Sequence, residues 1–355
     1  MSSFLKLAVD GRNLTSSISG INRYVSESVF ALSAGNISID ILHHRPVQQY
    51  FLDYLKATNV TFHQTATRFS FPLYTPTGED VFWGPAHRFP INFPKHIPAL
   101  VTIHDLVWKK YAATMNRRTY LGERLFFAKT LNRANKIVCS SHSTAYDLQK
   151  YFPNYADKVD VIYPGAHQPS CRSRHAGKPF ALFVGTMEPR KNLYRLINAY
   201  AAMPCKNAID LVIAGGVGWG GINPDMLVTE YGLKNHVRII KGANNSVINQ
   251  LYADCHFLVM PSLYEGFGLP LVEAMKYGKP VVTSNIASMP EVAGAAGLLI
   301  DPNDTQQISQ AMAELSTNQD LHSNLSSFAV KRSKYFSWEK TSHSLIDCFQ
   351  TLKHS

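Results

Sequence analysis

Two glutamates eight positions apart, Glu265 and Glu273, flank a glycine-rich turn in the run Pro261-Ser262-Leu263-Tyr264-Glu265-Gly266-Phe267-Gly268-Leu269-Pro270-Leu271-Val272-Glu273-Ala274-Met275. Gly266 and Gly268 permit a tight turn with exposed amides, and Pro270 suits the first turn of a helix. Carboxylates separated by backbone amides supply acceptors for hydroxyls and donors for phosphate oxygens, the complement of a nucleotide sugar. The plainer readings are a loop carboxylate in solvent for Glu265 and a dipole-favoured helix carboxylate for Glu273. A second group is Arg190-Lys191, which follows the apolar run Phe180 to Val184 and precedes a helix predicted over Leu193 to Ala201. Amides, helix dipole and two side-chain charges would converge there on a diphosphate. His104 ends a third apolar run, in Thr102-Ile103-His104-Asp105-Leu106. Gly216-Val217-Gly218-Trp219-Gly220-Gly221 matches the dinucleotide fingerprint by spacing alone. The next helix starts instead at Pro224 with Asn223 as its cap, and no carboxylate ends the following strand, so a plain glycine-rich loop is the better reading.

Residues of this kind must be carried on strand ends, and the chain has strands to offer. Short apolar β-branched runs alternate with amphipathic ones, the pattern of βαβ units and an α/β fold. Strands are predicted at Leu5 to Val9, Ile37 to Leu42, Val81 to Trp83, Leu100 to Ile103, Lys136 to Cys139 and Val159 to Tyr163, with helices over Ile21 to Leu32 and Arg117 to Ala134. A second series runs through Phe180 to Val184, Leu211 to Ala214, Val237 to Lys241, Phe257 to Met260, Val281 to Ser284 and Leu298 to Ile300. The expected organisation is a first domain over 1–165, a linker over 166–179 and a second domain over 180–338, with a final helix at 339–355 completing the first. Ser337 is placed to cap that helix, which bears Ile346, Phe349 and Leu352. Two such domains imply a cleft lined by the carboxyl ends of both sets of strands.

The segment Glu265 to Glu273 resembles the E-x-seven-E motif of the retaining glycosyltransferases of family 4, and the resemblance extends along nearly the whole chain. Val184 to Asn192 is similar to the family's phosphate-binding turn, Ser19-Gly20-Ile21-Asn22-Arg23-Tyr24 to its N-terminal glycine loop, and Thr102 to Leu106 to its active-site strand end. Met289 to Gly294 and Phe336-Ser337-Trp338-Glu339 resemble later family segments. The resemblance implies the GT-B fold, two Rossmann-like doubly wound domains with a C-terminal helix crossing back to the first. It implies that Arg190 and Lys191 take the diphosphate and Glu273 the nucleotide ribose. Glu265, with the amides of Phe267 and Gly268, would meet the donor sugar; His104 would lie at the reacting centre, and Gly20 would let its loop approach the phosphate. The implied reaction moves a hexose, first of all mannose from GDP-mannose, onto a saccharide or lipid-linked saccharide in surface polysaccharide synthesis. The competing readings are a nucleotide-sugar epimerase and a noncatalytic basic nucleic-acid-binding protein. No Asp-x-Asp pair and no metal-ligand spacing occurs, so the reaction is expected to need no metal cofactor, with Arg190, Lys191 and helix-terminal amides meeting the leaving-group charge.

Composition narrows the setting. With 355 residues, 45% hydrophobic and 17% charged, the chain has the makeup of a packed two-domain protein. It contains no apolar run near the ~20 residues that span a bilayer, and Asp10 and Arg12 fall where a signal peptide needs its apolar stretch, so a cytoplasmic location is expected. Five cysteines without a C-x-x-C pair fit a reducing compartment. A net charge of +10 points to anionic partners. Between Lys109 and Lys136 eight cations (Lys109, Lys110, Arg117, Arg118, Arg124, Lys129, Arg133 and Lys136) face one acid, Glu123, with aromatic and aliphatic residues interleaved. Such a segment reads as a peripheral contact for the inner face of an anionic membrane or as an ordinary surface helix; a nucleic-acid partner is not expected.

Overall fold

The computed structural model describes residues 4–15, 20–56, 59–65, 67–68, 71–72, 74, 78–90 and 92–354. It separates into two compact units, one comprising 1–106, 118–165 and 337–355, the other 107–117 and 166–336. The expected α/β class holds: each unit is a Rossmann-like parallel sheet flanked by helices.

The first unit holds β1 (Leu5–Asp10), β2 (Ile37–His43), β3 (Val60–Gln64), β4 (Val81–Gly84), β5 (Ala99–Ile103), β6 (Lys136–Cys139) and β7 (Val159–Val161). They form one sheet in the order β3-β2-β1-β4-β5-β6-β7, with every pairing parallel. β4 and β5 are buried along their whole length and are accordingly apolar apart from Thr102. β3 is the strand that the sequence pattern missed; its residues Val-Thr-Phe-His-Gln lie at the sheet edge and are at most half-buried. The register sets Gly84 beside Val101 and Ile103 beside Cys139, so the loops leaving β4 and β5 emerge at the same carboxyl edge.

The second unit holds β8 (Phe180–Val184), β9 (Asp210–Gly215), β10 (Val237–Lys241), β11 (Phe257–Met260), β12 (Val281–Ser284) and β13 (Gly297–Ile300), ordered β10-β9-β8-β11-β12-β13. Strand order reverses between β8 and β11, the switch point outside whose carboxyl ends such sheets bind ligands. The loops carrying Arg190-Lys191 and Glu265 leave these two strands. A core including Phe183, Leu196, Ile213, Phe257 and Met312 supports them.

The chain returns to the first unit at Ser337, whose hydroxyl accepts the Lys340 amide at 3.2 Å and caps the helix Trp338–Lys353. Trp338, Leu345, Phe349 and Leu352 of that helix join the core around Val9, Trp83 and Leu100. Each fully buried large apolar side chain contributes about 1.5–3 kcal/mol, so Leu345 and Phe349 alone give the helix a firm seat. Residues 107–117 pack with the second unit, and so do residues 166–179, where the sequence leads one to expect a linker. The packing of 107–117 is made by aromatic contacts described below, which no local pattern announces.

Candidate functional site

In the second unit the chain leaves β8 into a short 3-10 turn, Pro189–Lys191, and then the helix Leu193–Ala201. Asn192 joins turn and helix in the left-handed conformation (φ 61°), and its side-chain amide donates to the carbonyls of Pro261 at 3.0 Å and Pro302 at 2.7 Å. The Leu263 amide donates to the Arg190 carbonyl at 2.8 Å, tying this turn to the loop after β11. Across that tie lies a buried charge cluster. Arg190 Nη1 donates to Glu265 Oε2 at 2.7 Å and to the Tyr264 carbonyl at 2.6 Å, while Nη2 donates to Glu188. Lys191 Nζ donates to Glu265 Oε1 at 2.6 Å. Glu188, Lys191 and Glu265 are all buried.

Burial alone would raise the Glu265 pKa; Arg190 and Lys191 outweigh it and hold the carboxyl down at about 2. For Glu188 burial prevails over the same two cations, with Glu265 adding repulsion, and its pKa is raised. Arg190, expected to meet a diphosphate, spends its fork on three protein acceptors and organises the loops. Lys191 spends one of its three donors on Glu265, its sole hydrogen-bond partner among the described residues. Glu265 is a locked carboxylate, with each oxygen facing a cation.

Beyond Glu265 the loop is shaped by Gly268, whose φ of +93° is strained for any side chain, just before the helix Leu269–Lys276. The Glu265 carbonyl accepts the Ser288 hydroxyl at 2.9 Å, and the Phe267 ring packs edge-on to Phe336 at 5.5 Å, leaving only the backbone of Phe267 for the expected contact. Glu273 is half-buried and its Oε2 accepts the Tyr252 hydroxyl at 2.6 Å, an orienting bond from a neighbouring helix. The loop Gly216 to Gly221 opens into no helix. Its Gly216 carbonyl accepts the Met187 amide at 2.9 Å, and a Cβ on Gly218 would lie 2.6 Å from the Met187 carbonyl oxygen, so its glycine permits close approach to the Glu188–Lys191 turn. Residues 107–117 brace the other side: the Tyr111 ring lies 5.6 Å from that of Tyr264, Lys110 Nζ stands 5.0 Å over Tyr264, and the Trp219 indole donates to the Thr114 carbonyl.

In the first unit His104 follows β5, and its Nε2 lies 2.7 Å from the Pro85 carbonyl. A carbonyl only accepts, so the proton sits on Nε2 and Nδ1 is an acceptor without a hydrogen-bond partner among the described residues. The ring packs edge-on to Tyr24 at 4.6 Å. Burial, and next the neighbouring His87, push its pKa down to about 4, so His104 is neutral at pH 7. Gly20 is the exposed first residue of the helix Gly20–Ser33, and a Cβ there would meet nothing within 4 Å; Ser19 of the expected glycine loop lies outside the described residues. Sequence reasoning assigned no role to Glu188, His87 or Glu123. For Glu123 a signal existed: it shares the core side of its helix with Phe127, Thr130 and Leu131, at spacings of four, seven and eight.

That helix, Arg117–Arg133, exposes Arg118, Arg124 and Lys129 together with Leu121 (55% exposed) and Leu125 (54%). The run of eight cations is nevertheless not one face. Lys110 belongs with Tyr264 to the second unit and packs on its ring, Arg133 donates to the Pro94 carbonyl at 3.0 Å, and Lys136 pairs with Asp160 at 2.7 Å. Among the described residues no helix is long and apolar enough to cross a membrane.

Comparison with known proteins adds a second line. Residues 172–332 match the domain model of glycosyl transferases group 1, and residues 79–167 that of glycosyltransferase family 4. The O-antigen chain mannosyltransferase B of Escherichia coli is 36% identical over 179 residues, covering 50% of this chain and 47% of that protein. The serotype-specific mannosyltransferase WbdA of Escherichia coli is 32% identical over 275 residues, covering 71% of this chain and 33% of that protein. The chain thus spans about half the length of one relative and about a third of the other. Among solved structures, Anabaena HepE in complex with UDP and glucose superposes with a TM-score of 0.76 at 17% identity, covering 98% of this chain and 100% of that one.

Proposed function

The chain belongs to the group 1, family 4 glycosyltransferases of GT-B fold, and on that premise we propose that it transfers mannose from GDP-mannose to a saccharide acceptor in O-antigen-type polysaccharide assembly. The observation that carries the reading is the Glu265 cluster at the switch point of the second unit: an ionised carboxylate fixed between two cations, one of which keeps donors for a diphosphate. The choice of mannose rests on the two Escherichia coli relatives.

In this reading Lys191 and the amides near Gly268 take the charge that develops on the leaving diphosphate, without a metal ion, and Glu273 takes a ribose hydroxyl. His104, neutral with Nδ1 as acceptor, takes a hydroxyl of the transferred sugar. Glu265 is a poor covalent nucleophile, because a carboxyl held at about 2 between two cations has little basicity to offer. Retention then follows from attack on the departing group's own face: the acceptor oxygen bonds to the anomeric carbon as the bond to phosphate breaks, and a leaving phosphate oxygen removes the acceptor proton.

NMR of a reaction containing GDP-mannose, excess EDTA and a mannose-terminated oligosaccharide tests this. Expected are acceptor-dependent GDP release and a new linkage with the donor's anomeric configuration. Epimerised donor without acceptor would support the epimerase reading, and rescue of a lost activity by Mg²⁺ would overturn the metal-free one.

For the partner, we propose that the exposed face of the helix Arg117–Arg133 rests on an anionic membrane surface at the cytoplasmic side, near a lipid-linked acceptor. Leu121 and Leu125 flanked by Arg118, Arg124 and Lys129 support it, since each cation near such a surface contributes about 1 kcal/mol. Sedimentation with anionic but not zwitterionic vesicles is expected, with release by Arg118→Glu/Arg124→Glu and unchanged kcat on a soluble acceptor. Equal sedimentation with both vesicle types would contradict it.

A further inference from the structure

The loop leaving β4 grips His104 at two points. The Pro85 carbonyl takes the ring's Nε2–H, and two residues on His87 Nε2 lies 2.9 Å from the His104 backbone amide. His87 has a φ of +41°, a conformation rare outside glycine, and its own amide donates to the Thr102 carbonyl at 3.1 Å. A strained non-glycine residue held by the strand it serves points to a constraint worth its strain. Because a backbone N–H only donates, His87 Nε2 must accept and its proton must sit on Nδ1. That nitrogen faces Glu123 Oε2 at 3.7 Å, and this oxygen is buried with no hydrogen bond of its own. The other oxygen, Oε1, meets Arg88 Nε at 3.3 Å.

We infer that His87, oriented by Glu123, is a positioning residue for His104: it fixes the backbone from which the His104 ring projects and so keeps Nδ1 aimed as an acceptor. The inference rests on the proposed contact between His104 and the transferred sugar. Other charged groups near the two rings are Asp105, which acts on both, and Arg88, which acts on His87. The helix that supplies Glu123 is otherwise cationic, with Arg118, Arg124 and Lys129 exposed, so its one acid is the residue turned inward. This accounts for an acid in a segment whose surface has no use for one.

The test uses the full chain labelled with ¹⁵N-histidine. Long-range ¹H–¹⁵N spectra of the wild type should show His87 with its proton on Nδ1 and His104 with its proton on Nε2; a proton on Nε2 of His87 would overturn the inference without any variant. His87→Leu should lower kcat about tenfold, the scale of one lost hydrogen bond, with donor KM within about twofold of wild type. His87→Gln, whose side-chain oxygen reaches the place of Nε2, should recover most of that loss, and Glu123→Gln should give mixed tautomers at His87. Equal losses in the Leu and Gln variants, or an unchanged kcat in His87→Leu beside a lowered kcat in His104→Ala, would refute positioning. An unchanged kcat in His104→Ala would instead remove the proposed sugar contact, and the tautomer spectra would then decide the positioning claim alone.

Discussion

The Glu265 cluster and the His104 loop each lie at the carboxyl end of an interior strand of a parallel sheet, β11 in the second unit and β5 in the first. They handle a buried ionisable group in opposite ways. Glu265 is kept charged by Arg190 and Lys191, so its cost of burial is offset by direct ion pairs. His104 is kept neutral by burial beside His87, with one ring nitrogen committed to a backbone carbonyl. Charge compensation of the first kind suits a partner that is itself strongly charged, since Lys191 can engage an anion while Glu265 stays satisfied. Neutral polarity of the second kind suits a hydroxyl, which needs an acceptor and no field.

The sharpest way to break this contrast is to remove the ion pairs. Glu265→Gln leaves the buried Lys191 and the largely buried Arg190 with a neutral neighbour, and Arg190→Ala leaves Glu188 and Glu265 without their shared partner; each should cost about 3–5 kcal/mol in urea unfolding at pH 7. The acid side separates the two regions further. Glu265 has a folded pKa of about 2 against an ordinary 4.5, so its stabilisation is complete above 4.5 and is lost as pH falls toward 2. His104 has a folded pKa of about 4 against 6.5, so the unfolded chain takes up its proton first and stability is lost as pH falls from 6.5 toward 4. Glu265→Gln should flatten the lower window of the urea midpoint against pH and His104→Ala the upper one. Identical profiles for the two variants would erase the distinction.

A smaller effect is expected on turnover. His104→Ala should reduce kcat about tenfold, the scale of a neutral hydrogen bond, with donor KM little changed. A loss of a thousandfold would mean that His104 does acid–base chemistry, which a neutral, tautomer-locked ring does not predict.

Much of this was legible in the sequence because parallel strands buried on both faces read as apolar runs: β8 and β11 match theirs residue for residue, as do β6 and β12 with their few polar residues, and the edge strand β10 was found through Val237, Ile239 and Ile240. The edge strand β3 was not legible, since a polar five-residue stretch at a sheet edge carries no such run. The motif residues Glu265, Arg190 and Lys191 were visible as types and spacings, but their mutual pairing was not. Whether a cation meets a ligand or a carboxylate 75 positions away depends on which loops the switch point brings together. The packing of 107–117 on Tyr264 and the reach of His87 to His104 are likewise long-range choices between aromatic and polar partners of equal local plausibility.

We propose that donor affinity resides in the second unit, through Lys191. Calorimetric titration of wild type, His104→Ala and Lys191→Met with a panel of GDP-mannose, UDP-glucose and ADP-glucose measures it directly. The account predicts binding of GDP-mannose by the wild type, a Kd within about threefold of that in His104→Ala, and a Kd raised roughly 10- to 150-fold in Lys191→Met, the worth of one charged hydrogen bond. Wild-type affinity in Lys191→Met, or no binding of any of the three sugars by the wild type, would contradict it.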